Sequence, residues 1–208
     1  MADFPRTIKP ASVTYPHVPG GLVSTGRTGK VQLRSEVSAG RVWQETWPVL
    51  SAGSADVQAL LTFVEKTYNL GETCDLVHYL LPGSGKAPNG AGGGTPLVVG
   101  ATEAGSSIDT DAWSNDVTGV VKAGDCFKIA GLNQLFRVTA DANSGATTGP
   151  ATIYINPPIL VGASPADNAA LTIAGCKLRA YIAEYSPLPA AGPDEYIAGF
   201  SVTFIEAV

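Results

Sequence analysis

The chain has 208 residues, 45% hydrophobic and only 15% charged, with a formal net charge of −5. That apolar share can build a packed core and excludes a chain disordered throughout, and the 13 Lys and Arg residues are scattered, with no basic patch for nucleic acid. No segment approaches the ~18 consecutive apolar residues of a membrane span, and Met1 to Pro10 lacks the apolar run of a signal peptide, so the chain reads as soluble and made in the cytoplasm.

With 24 Gly and 15 Pro, short strands joined by many turns are expected, in a mainly β fold. Phe4-Pro5-Arg6-Thr7-Ile8-Lys9-Pro10 is too proline-marked for a helix and reads as an extended arm leading into Ser12–Tyr15. Pro16, Pro19, Gly20 and Gly21 then force a loop. Val31–Val37 alternates as a strand, and Ser38-Ala39-Gly40 turns the chain into Arg41–Pro48, where Trp43, Glu45 and Trp47 share a face. These two strands are expected to form a hairpin.

Ser54–Tyr68 is predicted as the single helix. Ser54 is a good N-cap, Asp56 sits in the first turn, and Val57, Leu60, Leu61 and Val64 recur at i, i+3, i+4 and i+7. Gly71 can stop it. Leu76–Leu81 reads as a strand. Gly83 to Gly105 then holds eight glycines, with Pro88 and Pro96, and reads as a junction or a long exposed loop.

Beyond that loop, Cys126–Ala130 and Leu135–Ala140 flank Gly131-Leu132-Asn133-Gln134 as a compact hairpin. Asp141–Pro150 is a loop, Ala151–Asn156 a strand closed by Pro157-Pro158, and Leu171–Ala174 and Cys176–Ala183 follow. The segment could close as a small barrel or sandwich. In Tyr196–Phe204 every even position is apolar, the pattern of a strand with one face on a core. The organisation expected is a split domain, residues 1–83 plus 176–208, carrying the helix and interrupted by an inserted β domain over 84–175.

No constellation of reactive residues stands out. Gly83-Ser84-Gly85-Lys86 invites a phosphate-loop reading, but Ala87 stands where a Mg²⁺-binding Ser or Thr belongs and Pro88 denies a helix N-terminus. Gly26-Arg27-Thr28-Gly29-Lys30 fails likewise. Asp109, Asp111 and Asp116 lack the further ligands of a calcium loop and read as a solvated turn. Only His17 and His78 are available as bases, and no Gly-x-Ser-x-Gly elbow accompanies them. Glu45, Glu65 and Glu72 have no spacing that marks a glycosidase pair. Trp43, Trp47 and Trp113 could form a sugar platform, with core packing the stronger reading for the first two. Cys74, Cys126 and Cys176 have no CxxC or Cys/His spacing and read as buried free thiols. No catalytic, cofactor-binding or metal-ligating residue is assigned, and the chain is expected not to be an enzyme.

Phe4-Pro5-Arg6 with Ile8-Lys9-Pro10-Ala11-Ser12, Gly29-Lys30-Val31-Gln32, Gly40-Arg41-Val42-Trp43 and the Ser51–Lys66 helix together resemble the start of small tail proteins of long-tailed bacteriophages. The family that the chain resembles is the distal tail protein, the ring joining the tail tube to the baseplate hub. Val121-Lys122-Ala123-Gly124-Asp125-Cys126-Phe127-Lys128-Ile129, Arg137-Val138-Thr139-Ala140-Asp141 and Asn156-Pro157-Pro158-Ile159 look like a module of phage structural proteins.

The resemblance implies a virion structural protein: a hexameric homo-oligomer at the tail tip, assembled in the host cytoplasm, through which DNA passes at ejection. It implies a β-sandwich-like ring domain with one helix, an inserted oligomer-fold-like β-barrel, and no active site. Tail tube, baseplate hub and tape measure proteins are the implied partners. The separate carbohydrate-binding domain of larger members is not expected here, which argues against direct receptor binding. A ring subunit needs assembly devices, for which the arm Met1–Pro10 and the loop Pro16–Lys30 are candidates. The alternatives are another tail-tube or tail-completion subunit, or a carbohydrate-binding adhesion module that uses Trp113.

Overall fold

A computed structural model describes residues 2–14, 21–25, 31–35, 41–186 and 196–207, with 21–25 and 31–35 described as backbone alone. The chain divides into two compact units, Met1–Leu76 with Arg179–Val208, and Val77–Leu178. Among the described residues it is mainly β, with one helix and a small barrel-like sheet.

In chain order the elements are β1 (Ser12–Thr14), β2 (Gly21–Thr25), β3 (Val31–Ser35), β4 (Val42–Thr46), β5 (Leu50–Ser51), α1 (Ala55–Leu70), β6 (Thr73–Val77), β7 (Gly94–Val98) and β8 (Gly105–Trp113). They continue with β9 (Cys126–Ile129), β10 (Leu135–Val138), β11 (Ala151–Ile159), β12 (Leu171–Thr172), β13 (Lys177–Tyr185), β14 (Tyr196–Ile197) and β15 (Ser201–Glu206).

The first unit is built on a five-stranded sheet in the order β1-β4-β15-β13-β6. Period-two alternation sets its faces: Trp43 and Glu45 on β4 and Val202, Phe204 and Glu206 on β15 are buried, while their neighbours along each strand are only partly covered or exposed. β5 pairs with β14, and β2 with β3, as separate two-stranded ribbons.

Helix α1 forms where its stripe and caps place it. Ser54 is extended at the N-cap (ψ 132°) although its side chain makes no capping bond, and Gly71 ends the helix in the left-handed region at φ 62°. Val57, Leu60, Leu61, Val64 and Thr67 are buried. Each of the four aliphatic side chains contributes about 1.5–3 kcal/mol of burial before ordering costs. Phe63 and Tyr68 meet Phe4 and Tyr185 edge-on at 5.5 and 5.1 Å.

Several pairings differ from the sequence expectation. The Val31 strand pairs with Gly21–Thr25, not with β4, whose two edges are taken by β1 and β15. The Tyr196–Phe204 strand is broken at Gly199, whose φ of 72° interrupts the extended backbone, so only β15 joins the large sheet. The strand expected at Leu76–Leu81 ends at Val77, and a turn closed by Leu81 N–H to His78 O (3.2 Å) follows.

The second unit is a six-stranded sheet in the order β12-β9-β10-β11-β8-β7. It nearly closes on itself: Val98 N–H donates to Ala169 O (3.0 Å), Asn168 N–H donates to Val98 O (2.9 Å), and Leu97 bridges Ala170. Val98, Ile108, Trp113, Phe127, Ile129, Phe136, Ile153 and Ile155 are among the side chains that fill the interior.

The glycine-rich stretch is not a long exposed loop. It contains β7, and a Cβ on Gly85 or Gly90 would lie 2.6 Å from His78 O or 2.5 Å from Val120 O, so these glycines allow backbones to touch. Asp109 and Asp111 lie on strand β8 rather than in a turn. β11 runs through Pro157-Pro158 to Ile159, and its register against β8 shifts between Tyr154 and Ile159, where two residues without an amide proton cost no regular ladder bond.

Candidate functional site

The residue types that can carry chemistry are used structurally. Gly83, Ser84, Gly85 and Lys86 donate their backbone N–H groups to Lys86 O, Leu81 O, His78 O and Leu81 O, at 2.9–3.2 Å. A phosphate cradle needs those donors free, and here they close turns. His78 is 1% exposed; its Nδ1 accepts the Leu80 N–H at 3.3 Å, and its own N–H donates to Ser84 Oγ at 2.9 Å. His17, the Gly26-Arg27-Thr28-Gly29-Lys30 loop and, apart from β2, the candidate assembly loop Pro16–Lys30 lie outside the described residues.

Asp109 accepts the Thr152 hydroxyl at 2.7 Å on the barrel surface, and no metal-holding group of acids, histidines and cysteines exists among the described residues. Glu45 is fully buried, whereas Glu65 and Glu72 are exposed. No helix among the described residues is long and apolar enough to cross a membrane.

Trp43 stacks on Phe204 (5.3 Å, 19° between planes) and Trp47 packs on Phe200 at 5.5 Å. Trp113 is 3% exposed in the barrel core, and its Nε1–H donates to Thr110 Oγ1 at 2.9 Å. A buried indole presents no stacking face, so Trp113 is not a sugar platform. The three cysteines are free and buried. Burial pushes the Cys74 thiol up to about 12 and the Cys176 thiol up to about 11.

Asp125, which carried no signal beyond a Gly-Asp turn, is 2% exposed, and its carboxylate accepts four N–H groups. These come from the Asn89 backbone (2.7 Å), the Asn89 side chain (2.9 Å), Gly90 (2.9 Å) and Lys122 (2.9 Å). It fastens the glycine-rich segment to the start of β9.

Two surfaces of the first unit remain as functional candidates, one on each face of the sheet. On the buried face, the N-terminal arm, expected to reach neighbouring subunits, lies on its own sheet. Phe4 N–H donates to Asp75 O (2.9 Å) and Asp75 N–H to Ala2 O (3.3 Å), adding a short parallel pairing to β6. Phe4 is 3% exposed and meets Trp47, Phe63 and Phe204 at 6.2, 5.5 and 5.3 Å.

Arg6 follows, and both its terminal nitrogens bond the Glu45 carboxylate, Nη2 to Oε1 at 3.0 Å, while its guanidinium lies 4.8 Å from the Phe4 ring centre. Ile8 O accepts the Trp47 indole N–H (3.1 Å), Ala11 N–H donates to Thr46 O (2.7 Å), and β1 pairs with β4. The arm thus runs from one edge of the sheet to the other, four inter-strand spacings or about 19 Å.

On the opposite face, strand register assembles three rows: Ser12, Thr46 and Ser201; Thr14, Gln44 and Thr203; Val42, Ile205 and Tyr181. None of the nine is charged, and Ile205 and Tyr181 are 38% and 47% exposed. Charge begins on β13, where Glu184 faces Thr203, and at the Arg179–Asp75 pair at 3.5 Å. Comparison of the chain with protein-family models and with curated proteins finds no match in either.

Proposed function

We propose that the chain is a virion structural protein of a long-tailed bacteriophage, the subunit of a distal tail ring that joins the tail tube to the baseplate hub and lets DNA pass. The observation that supports this reading best is the block of nine uncharged positions on β1, β4 and β15 with Tyr181 of β13, in a chain whose described histidine, glycine-loop, tryptophan and cysteine candidates are taken up by the fold. An ordinary solvent-facing sheet surface carries interspersed charges; hydroxyl, amide and apolar groups alone suit a protein contact or an inert wall. Subunits of a closed ring meet head to tail, through two different surfaces of each copy.

In this reading the chain acts without a cofactor in the tail tip, after assembly in the host cytoplasm. Its neighbours are further copies of itself and the tail tube, hub and tape measure proteins. Negative-stain imaging of the purified chain tests the reading: six-fold rings are expected, and a strictly monomeric protein missing from virions would overturn it. Gln44→Glu, which puts a charge between Thr14 and Thr203 in the uncharged face, is expected to reduce assembly while leaving the circular dichroism spectrum unchanged. A tail-tube subunit would instead occur in many stacked copies per virion.

A further inference from the structure

We infer that residues 2–14 are an exchangeable arm: where copies of this chain assemble, the slot on one copy's sheet takes the arm of its neighbour. The inference rests on the assembly reading above and names a contact within it. The slot is matched to the arm: with the arm in place Glu45 is 0% exposed and paired to Arg6, and Phe4 is covered by aromatic rings, so an empty slot would open an apolar aromatic surface to water. Whatever fills it must be an extended segment that places a ring and a guanidinium two residues apart and pairs with the β6 edge at Asp75. Residues 2–6 of this chain fit that description, from whichever copy they come.

The anchors of the arm, Phe4, Arg6, Ile8, Ala11 and β1, all lie within residues 2–14. The slot is therefore indifferent to which copy supplies them, and exchange keeps the same contacts. Six residues, 15–20, connect the arm to β2; they include Pro16, Pro19 and Gly20, and their extended length reaches up to ~20 Å. β1 is also the outermost strand on the β4 side, so a copy approaching that edge meets the arm first. In an assembly, a neighbour's arm is held at high local concentration, so exchange competes with the copy's own arm at no loss of contacts.

Co-expression of two full-length chains, both carrying Cys74→Ala, one with Asp3→Cys and the other with Asp75→Cys, tests this. Asp3 and Asp75 are bridge partners, so a disulfide between these two chains requires the arm of one copy on the sheet of another. A covalent heterodimer is expected under mild oxidation, and it should be lost when Arg6→Ala is added to the Asp3→Cys chain. A single chain with both cysteines is the geometric control.

If the doubly substituted chain cross-links only within itself and the co-expressed pair stays unlinked, exchange is overturned. Light scattering on the unmodified protein then separates the two ideas: an oligomer leaves the assembly reading standing, and a monomer removes both. A heterodimer band undiminished by Arg6→Ala would also count against the slot.

Discussion

Arg6→Met is the perturbation that most directly tests how the first unit is held together. It removes the cation from a glutamate with no exposure while leaving the aliphatic volume of the side chain largely in place. The Trp43 indole N–H, 3.3 Å from Glu45 Oε1, would remain as a hydrogen bond to the stranded carboxylate. Breaking a buried pair from one side costs about 3–5 kcal/mol, because the remaining charge is uncompensated. Glu45→Leu should cost less, about 1–2 kcal/mol, since the Arg6 side chain is 15% exposed and can turn to water. The double variant Arg6→Met/Glu45→Leu should fall within about 1 kcal/mol of the parent, as replacement of a buried pair by apolar groups is often neutral.

The coupling in this double-mutant cycle is then at least about 3 kcal/mol. Urea unfolding followed by fluorescence in a Trp113→Phe background isolates the relevant unit, because Trp43 and Trp47 lie in it and Trp113 lies in the other. A cost of Arg6→Met below about 1 kcal/mol, or single costs that simply add, would mean that the pair is screened like a surface ion pair, and the argument from burial would fail.

Other outcomes follow from the second unit and from the thiols. Thr147 and Thr148 have φ of 57° and 62°, a region costing non-glycine residues about 1–2 kcal/mol. Thr147→Gly and Thr148→Gly should each raise the thermal midpoint, and a lowered midpoint in both would show that their side chains compensate the strain. Asp125→Ala strands four N–H donors and should cost about 3 kcal/mol or more, with fast hydrogen exchange at Asn89, Gly90 and Lys122; retained protection there would contradict the fastening role.

The thiols are expected to ignore a thiol reagent at pH 8 until the chain is denatured, when all three react. Because burial raises the folded-state values of Cys74 and Cys176 above the ordinary 9.0, the unfolded chain loses these protons first. Their contribution to stability is therefore complete below about pH 9 and declines from there through about 11–12. Urea midpoints measured between pH 8 and 11 check the sign; a midpoint that rises with pH would refute it.

What could be read from sequence was what is local. Helix α1 carries its own start, stripe and stop in Ser54, Val57 to Val64 and Gly71, and the β9–β10 hairpin carries its turn between two apolar runs. Strands β7 and β8 were illegible for the opposite reason. Gly94-Thr-Pro-Leu-Val and Gly105-Ser-Ser-Ile-Asp-Thr-Asp-Ala-Trp read as loop by propensity, and their pairing with each other and with β11 overrides it.

The partner of β3 and the resting place of the arm were hidden as well, since strand pairing is settled by contacts far apart in sequence. Phe4 bears no local mark that distinguishes a neighbour's surface from its own sheet. The candidate surfaces followed the same division. The alternation of Trp43, Glu45 and Trp47 was visible, but the uncharged rows exist only once Thr203 is known to face Gln44, and Gln44 to face Thr14.

The buried face of β4 against β15 also explains why a chain with so few charges places two carboxylates on that one face. Arg41 faces Glu206, Trp43 stacks on Phe204, Glu45 faces Val202, and Trp47 packs on Phe200. Glu206 is held three ways by one residue: its N–H donates to Arg41 O (2.8 Å), its carboxylate accepts the Arg41 N–H (3.3 Å), and the same carboxylate pairs with the Arg41 guanidinium (3.7 Å). A slip of β4 by one residue would carry Glu45 and both tryptophans to the wrong side of the sheet, and a slip of β15 would do the same to Phe204 and Glu206. Aromatic and aliphatic groups alone tolerate repacking, whereas an ion pair displaced by one residue leaves two uncompensated charges.

The carboxylates therefore select the register more than they add stability. Arg41→Met with Glu206→Leu, which removes both partners of the pair, should leave the urea midpoint unchanged or raised, yet broaden or multiply the amide signals of residues 201–206. Sharp, single amide signals in that variant would show that the aromatic pairs set the register by themselves.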